Sequence, residues 1–525
     1  MNPSQPVLFV AALLMLAAPS RAATFDLSTA TVAEINAAMD AGALSSEKLL
    51  GLYLKRIEAY DKQGPKINSV VAINPKALDE ARALDTERKA KGARSPLHGI
   101  PVVVKDLIDV EGMPTTAGFK PFGAPLPLRD AEVVARLRQA GAIILAKVST
   151  VNWFGNGFDE THVIGATINP YNLAYSPGGS SNGTGAALAA NFATLGIGTD
   201  TGGSVQNPSA YCSLAGMVAT QGLVSRSGIV PRGATQDRAG PMGRHISDVA
   251  TLLTYMSGWD AEDLMTLRGM GHFPRTDLAL EMKVPDLKGR RLGVLREMHF
   301  TRPIDAEGLA IFERALEAMR NAGAQVIDPV QTGFDLKALT TSAAGRTAEY
   351  EKLYVQNAYL ARLGPNRPYK TIQEMIEKVG RDKFDQAMIS ALSLEDPASS
   401  PDYAARSANV TMVRELIEEL IVTYKLDAFV FARNTVPPPR FESMTVQPPY
   451  PIGGSNSLSS NSGLPSVIMP AGYTEKEGLP IAVQFVSKSF DDLTLLQVAY
   501  GFEQSAKIRK SPRTTPALPG ERFEY

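Results

Sequence analysis

A chain of 525 residues with 44% hydrophobic and 20% charged side chains has the balance of a soluble globular protein and can bury a large core. Its 53 basic and 54 acidic residues leave a net charge of −1, so no overall field draws nucleic acid or an anionic membrane surface, and neither is expected as a partner. The single cysteine, Cys212, excludes an internal disulfide and any Cys-based zinc or iron–sulfur centre, and it reads as a small buried hydrophobe.

The first feature in chain order is an apolar run at residues 7–18 (VLFVAALLMLAA), too short to cross a bilayer as a helix. Pro19 follows it, and Ser20 and Ala22 set small residues at the −3 and −1 positions of a cut after Ala22. This is the layout of a secretory signal peptide over residues 1–22, although residues 1–6 carry no Lys or Arg. The mature chain, 23–525, is then expected to be periplasmic or secreted, with no membrane anchor after processing.

Helices come next. Thr31 with Glu34 has the capping-box spacing, and residues 45–60 repeat apolar side chains at Leu49, Leu52, Tyr53, Ile57 and Tyr60. Residues 100–104 (IPVVV) read as a buried strand with Lys105 and Asp106 at its end. Asp130 is expected to cap a helix at 131–140, Gly141 to end it, and residues 142–146 (AIILA) to form the next strand. Strand–helix–strand alternation of this kind argues for an α/β sheet. From Ser176 the chain turns rich in Gly and Ser, with a small-residue helix at 185–193, a strand at 195–198 and a glycine-bearing loop at 199–204. A further strand begins after residue 285, a helix covers 305–322, and another strand follows. Residues 335–425 read as mostly helical and more polar. Strands return in LDAFVFA, LPSVIMPAG and LPIAVQFV before a helix at 491–505. No internal repeat, heptad or low-complexity linker interrupts the pattern, which fits one large domain with a helical insertion.

Common site patterns are missing. There is no H-E-x-x-H, no G-x-x-x-x-G-K-[ST] and no complete G-x-G-x-x-G after a strand, and no Ser is read inside G-x-S-x-G, so the nucleophile elbow of the α/β-hydrolases is not expected. The histidines at 98, 162, 245, 272 and 299 form no i, i+4 pair, so no metal site is expected and each reads as a surface or turn residue. What stands out is a pair of glycine–serine loops, residues 178–183 and 200–204, flanking a small-residue helix, with Lys105 isolated at a strand end upstream. A glycine-rich loop alone is usually a turn. Two of them beside a strand-end lysine point to nucleophilic serine chemistry.

The residues that carry this pattern resemble the amidase signature family. They are PLHGIPVVVKD (96–106), SPGGSSNGTGAALAA (176–190) and GIGTDTGGSVQNPSAYC (196–212), followed by GLVSRSGIVP (222–231), DRAGPM (237–242), NSGLPSVIMPAG (461–472) and GLPIAVQF (478–485). The family includes fatty acid amide hydrolase, bacterial peptide amidases and one component of the tRNA-dependent amidotransferases. The resemblance implies an α/β fold with a large mixed twisted sheet covered by helices on both faces, a three-layer α/β/α arrangement. It implies a signature core at about 80–250 and a helical specificity region at about 335–425.

On the same resemblance, Ser204 matches the nucleophile, Ser180 the bridging serine and Lys105 the base, with a cis peptide at Gly179–Ser180. The backbone N–H groups of Thr201, Gly202, Gly203 and Ser204 match the oxyanion hole, Gly179 and Ser181 support the site, and Trp153, Phe154 and Gly155 lie where family members line the acyl pocket. The chemistry is coherent. A serine hydroxyl needs a base to become a nucleophile, and burial can leave a lysine amine neutral enough to be that base. Each oxyanion donor contributes about 2.7–4 kcal/mol to the transition state.

The implied substrate is a small or peptidic linear amide, with no metal, nucleotide or organic cofactor. An ester, an aryl acylamide or a carbamate would use the same residues. The expected signal peptide argues against an amidotransferase component, and intact Lys105, Ser180 and Ser204 argue against a catalytically silent binding protein. Two departures stand out: Asn182-Gly183 replaces the usual second glycine pair, and Gln206 replaces the usual arginine, removing a charge otherwise available to Asp237, whose expected role is structural. The oligomeric state is not legible in the sequence.

Overall fold

The computed structural model describes residues 23–299, 305–394, 396–441 and 458–525; the expected signal peptide lies outside them. β-Branched runs form β2 (Val70–Ile73), β3 (Pro101–Lys105) and β4 (Ile143–Val148), while β1 (Thr24–Asp26), β5 (Leu195–Asp200), β6 (Ala215–Val218) and β7 (Arg238–Gly243) are more mixed, β7 having no β-branched residue. The later strands are β8 (Arg291–Val294), β9 (Gln325–Ile327), β10 (Ala428–Ala432), β11 (Ser466–Tyr473), β12 (Pro480–Val486) and β13 (Arg522–Glu524).

Strands β2 to β12 make one sheet in the order β2-β4-β3-β5-β7-β6-β11-β12-β10-β8-β9. It is mixed. β3 runs parallel to β4 and β5, and β8 runs parallel to β9 and β10, while β5–β7, β6–β11 and β11–β12 are antiparallel. β3, β4, β5 and β12 are buried along their whole length, as strands covered on both faces must be.

Helices α1 (Val32–Asp40), α2 (Ser46–Tyr60), α3 (Ala77–Lys91) and α4 (Glu132–Gln139) precede the first glycine–serine loop. The capping box of α1 forms as its sequence demands: Thr31 accepts from the Glu34 N–H, and Glu34 accepts from the Thr31 N–H. Asp130 does not cap α4. Its carboxylate instead accepts the Glu111 N–H at 2.7 Å and pairs with Arg138 at 3.0 Å, because the chain enters the helix one residue later, at Ala131.

Next come α5 (Asn182–Ala189), α6 (Gln206–Tyr211), α7 (Ile246–Met256) and α8 (Ala306–Asn321). α5 begins three residues before the expected Gly185 and stops at Ala189. Side chains alternate across a strand, so Gly196 and Gly198 of β5 face one way and Leu195 the other. A Cβ on Gly196 would lie 2.8 Å from Thr184 of α5, and one on Gly243, which pairs with Leu195, would lie 3.3 Å from Val249 of α7. α5 and α7 therefore cover opposite faces of the sheet, giving the three layers. The missing side chains in β5 let α5, itself built of Gly, Ala and Thr, press close to the sheet.

Residues 335–425 are helical as expected: α9 (Leu336–Leu339), α10 (Ser342–Gly345), α11 (Ala348–Arg362), α12 (Ile372–Val379), α13 (Gln386–Ala391) and α14 (Pro401–Thr423). α15 (Leu458–Ser462) and α16 (Asp492–Ala506) complete the fold. β1 and β13 pair separately, and Ala23 and Tyr525 exchange two backbone hydrogen bonds of 2.9 and 2.8 Å beside them. Among the described residues, no helix is long and apolar enough to cross a membrane.

The histidines correct one expectation. His98 and His162 are buried, each with Nε2 against a backbone carbonyl, of Leu84 and Thr150 respectively. Cys212 is buried as read, and burial pushes its thiol pKa up.

Candidate active site

The parallel run of β3 beside β5 sets Lys105, the last residue of β3, under the end of β5. Its Nζ donates to Ser180 Oγ at 2.6 Å and to Thr199 Oγ1 at 2.8 Å, and the side chain is fully buried. Burial lowers the lysine pKa to about 7; Asp200 and Asp237 pull it back up, and Arg232 pushes it further down. The Trp153 ring lies 5.3 Å from Nζ.

Ser180 leads into α5, and the Gly179–Ser180 peptide is cis. Ser181 fastens this turn to the sheet: its Oγ donates to the Thr199 carbonyl and accepts the Thr199 N–H, both at 3.2 Å, and its own N–H donates to the Ser204 carbonyl at 3.2 Å. Residues 179–183 (GSSNG) do spell G-x-S-x-G, with Ser181 at the centre, which corrects the reading that no such pattern exists. The hydroxyl of Ser181 is buried and committed to β5, so the pattern here is not a nucleophile elbow. The Asn182-Gly183 departure is also resolved. Asn182 Nδ2 donates to Ser149 Oγ at 3.1 Å and Thr167 Oγ1 at 2.9 Å, and Gly183 lets the helix meet the backbone of Ser149.

The second loop is organised by Asp200 at the end of β5. Its carboxylate accepts the N–H groups of Gly203 at 3.0 Å and Val205 at 2.9 Å and the hydroxyl of Ser460 at 2.7 Å. Burial acts to raise its pKa, but Arg238, Ser460 and these amides hold it below the usual carboxylate value. The Gly203 N–H is thus already given to Asp200, and Thr201, Gly202 and Ser204 remain as the candidate oxyanion donors. Gly203 has φ of +112°, and a Cβ there would meet Arg433 Nη2 at 2.9 Å, so glycine is required.

Gln206 does not face Asp237. Its Nε2 donates to Asp200 at 3.3 Å and to Ser460 Oγ at 2.9 Å, and its Oε1 accepts from Gln484 at 2.9 Å. Asp237 is held elsewhere: it accepts the Thr201 hydroxyl at 2.5 Å, the Arg232 N–H at 2.6 Å and the Gly233 N–H at 3.0 Å. The positive charge absent at position 206 is supplied to Asp200 by Arg238 and Arg433 from β7 and the end of β10.

Both loops open on one cavity of about 380 Å³, with Gly179, Ser180, Thr201, Gly202 and Ser204 on its lining. Trp153 and Gly155 line it as expected. Phe154 does not; it packs into the core against Phe119 and Phe122, with ring centroids 5.8 and 5.3 Å away. The helical region contributes Arg346, between α10 and α11, and Asp385, the residue before α13. Its tyrosines do not reach the cavity lining: Tyr359 is buried and donates to Asp109 at 2.8 Å, and Tyr354 is 77% exposed. A second cavity of about 280 Å³ shares Trp153 and Thr201 with the first and extends to Thr199, Asp237 and Arg238.

Sequence reasoning did not single out Thr199, Arg232 or Arg346. Thr199 stands inside a recognisable stretch, but only the packing of β5 on β3 brings its hydroxyl to Lys105. Nothing local marks Arg346.

The family model described as Amidase matches residues 48–496. A probable amidase of Arabidopsis thaliana is 30% identical over 508 residues, 93% of this chain and 92% of that one. The A-type component of the glutamyl-tRNA(Gln) amidotransferase of Synechococcus sp. (strain JA-2-3B'a(2-13)) is 30% identical over 477 residues, covering 89% of this chain and 90% of that protein. Among solved structures, the native peptide amidase from Stenotrophomonas maltophilia superposes with a TM-score of 0.81 at 31% identity, covering 93% of this chain and 99% of its own.

Proposed function

This chain belongs to the amidase signature family, a family of amide hydrolysis, and from that premise we propose that it cleaves a small or peptidic linear amide through an acyl-enzyme on Ser204, with Ser180 and Lys105 moving the proton. The observation that carries the proposal is the 2.6 Å contact between Lys105 Nζ and Ser180 Oγ, made in full burial by a lysine whose pKa falls to about 7.

Once Lys105 has lost its proton, its lone pair accepts the Ser180 hydroxyl hydrogen along that contact, while Thr199 keeps Nζ in place. Ser180 in turn takes the proton of Ser204, whose oxygen attacks the amide carbonyl carbon. The oxyanion so formed faces the N–H groups of Thr201, Gly202 and Ser204. Collapse breaks the C–N bond, and the proton returns through Ser180 to the departing nitrogen, since an amine leaves only when protonated. Water then adds to the acyl-enzyme, and Ser204 is released with its proton and the free acid. An ester or carbamate carbonyl would pass through the same steps.

The test is covalent labelling. Purified protein treated with a fluorophosphonate should carry the adduct on Ser204, and Lys105→Ala should slow labelling by about a hundredfold or more, the scale of lost general base catalysis. Release of free acid and ammonia from a small amide by the chain alone then separates hydrolysis from transfer to an acceptor. An adduct on a different serine, with Lys105→Ala indifferent, would sink the mechanism.

A further inference from the structure

We infer that the cavity receives an amide that also bears a carboxylate a few bonds from the scissile carbonyl, held by the guanidinium groups of Arg346 and Arg232. The inference rests on the reading of Ser204 as nucleophile and adds the substrate class.

Arg346 lies directly over the second loop: a Cβ on Gly202 would collide with its Nη2. Both arginines line the same cavity as Ser180 and Ser204. Arg346 has no ion pair among the described residues, and the acids nearest the loop are already committed. Asp200 serves Gly203, Val205 and Ser460, and Asp237 serves Thr201 and two backbone amides. Glu349, Asp200 and Asp237 act on Arg346 only through space. Arg232 lies over Trp153 at 5.5 Å, and its one acidic partner among the described residues, Asp385, is 3.8 Å away and also caps α13 through the Met388 N–H.

A third basic side chain lies near both arginines, behind the cavity wall. Lys352 of α11 is fully buried, and its Nζ has no hydrogen-bond partner among the described residues. Burial, reinforced by Arg232, lowers its pKa to about 7. Asp385 stands against three basic side chains here, and Arg346 has no contact ion pair of its own among the described residues, so an incoming anion would add a direct partner where the cavity offers none. A carboxylate matches the planar fork of a guanidinium with two parallel N–H···O bonds. Because Arg346 abuts Gly202, the anion must sit close to the reacting carbon, so a short half-amide of a dicarboxylic acid fits better than a long acyl chain.

Succinamate and succinamide differ only in a carboxylate against a carboxamide. Each is tested for protection of Ser204 from labelling by phenylmethylsulfonyl fluoride, and for turnover, in the native chain and in Arg346→Gln and Arg346→Lys. The native chain should be half-protected by succinamate at a concentration at least about tenfold lower than by succinamide, the scale of one charge-assisted pair. That ratio should fall towards one in Arg346→Gln and be partly kept in Arg346→Lys. Equal protection by the two compounds, protection by neither, or an unchanged ratio in Arg346→Gln overturns the inference while leaving the hydrolase reading intact. Failure of Ser204 to label without any competitor overturns the hydrolase reading, and the inference falls with it.

Discussion

A lysine in water keeps its proton to above pH 10, whereas burial brings the pKa of Lys105 down to about 7, because two hydroxyl partners and the more distant Asp200 and Asp237 only partly replace the water it has lost. Only the deprotonated amine can accept from Ser180, so kcat/KM for a neutral amide is expected to rise with pH through a limb of apparent pKa about 7. Measured from pH 5 to 9, a profile already flat at the acid end would show that Lys105 is not the base. The three residues of the proton path were legible because their types and spacing are constrained by chemistry. Thr199, Arg232 and Arg346 were not, since each acquires its role only from what the folded sheet and the helical region place beside it. Phe154 failed for the reverse reason: it neighbours a cavity residue in sequence, but the chain twists between them and turns its ring into the core.

At the level of elements, α5 and β5 form a unit in which glycine does the positioning. A Cβ on Gly183 would lie 2.8 Å from Ser149 Cα and closer still to that residue's backbone N and O, backbone atoms directly after β4 that cannot rotate away as a side chain could. Gly183→Ala is therefore expected to destabilise the protein by about 1–3 kcal/mol, the range for overpacking, and to slow Ser204 labelling by shifting Ser180 off Lys105. Urea unfolding together with the labelling rate measures both, and an alanine variant with native values for each would refute this packing account. β3 to β5 and β8 to β12 were readable as apolar runs and the 335–425 region as helical, whereas β2, β6 and β7 were not read, the last because RAGPMG has no β-branched residue to mark it. The start of α5 was misplaced because Asn182 and Gly183 look like turn residues. Their side-chain and backbone bonds to Ser149, invisible locally, make them the first helical turn.

Over the whole molecule, elements from the first and last parts of the described residues meet, β1 with β13 and both α1 and α16 with α7. Ile246 at the start of α7 donates to Glu503 of α16 at 3.1 Å, and Val32 of α1 donates to Asp248 of α7 at 2.9 Å. Burial raises both carboxyl groups to a pKa of about 7, and the proximity of Asp248 raises Glu503 further. An unfolded Glu503 releases its proton near 4.5, so between that value and about 7 the folded state holds the extra proton. The stability it contributes is full below pH 4.5 and is lost as pH rises through 7. Glu503→Gln removes this dependence. The melting temperature of the variant relative to the native chain should therefore climb by a few degrees between pH 5 and pH 8, and calorimetry showing a constant difference would exclude the coupling.

The pairing of β1 with β13 carries a consequence for biosynthesis. A ribosome delivers β1 early and its partner from the opposite extreme of the sequence, so during synthesis β1 waits as an unpaired edge with Phe25 uncovered until Phe523 can stack on it at 4.9 Å. The clasp can close only when nearly everything between has emerged. Proteolytic resistance around β1 thus reports that β13 has been made, and a product truncated before β13 would leave β1 open to degradation.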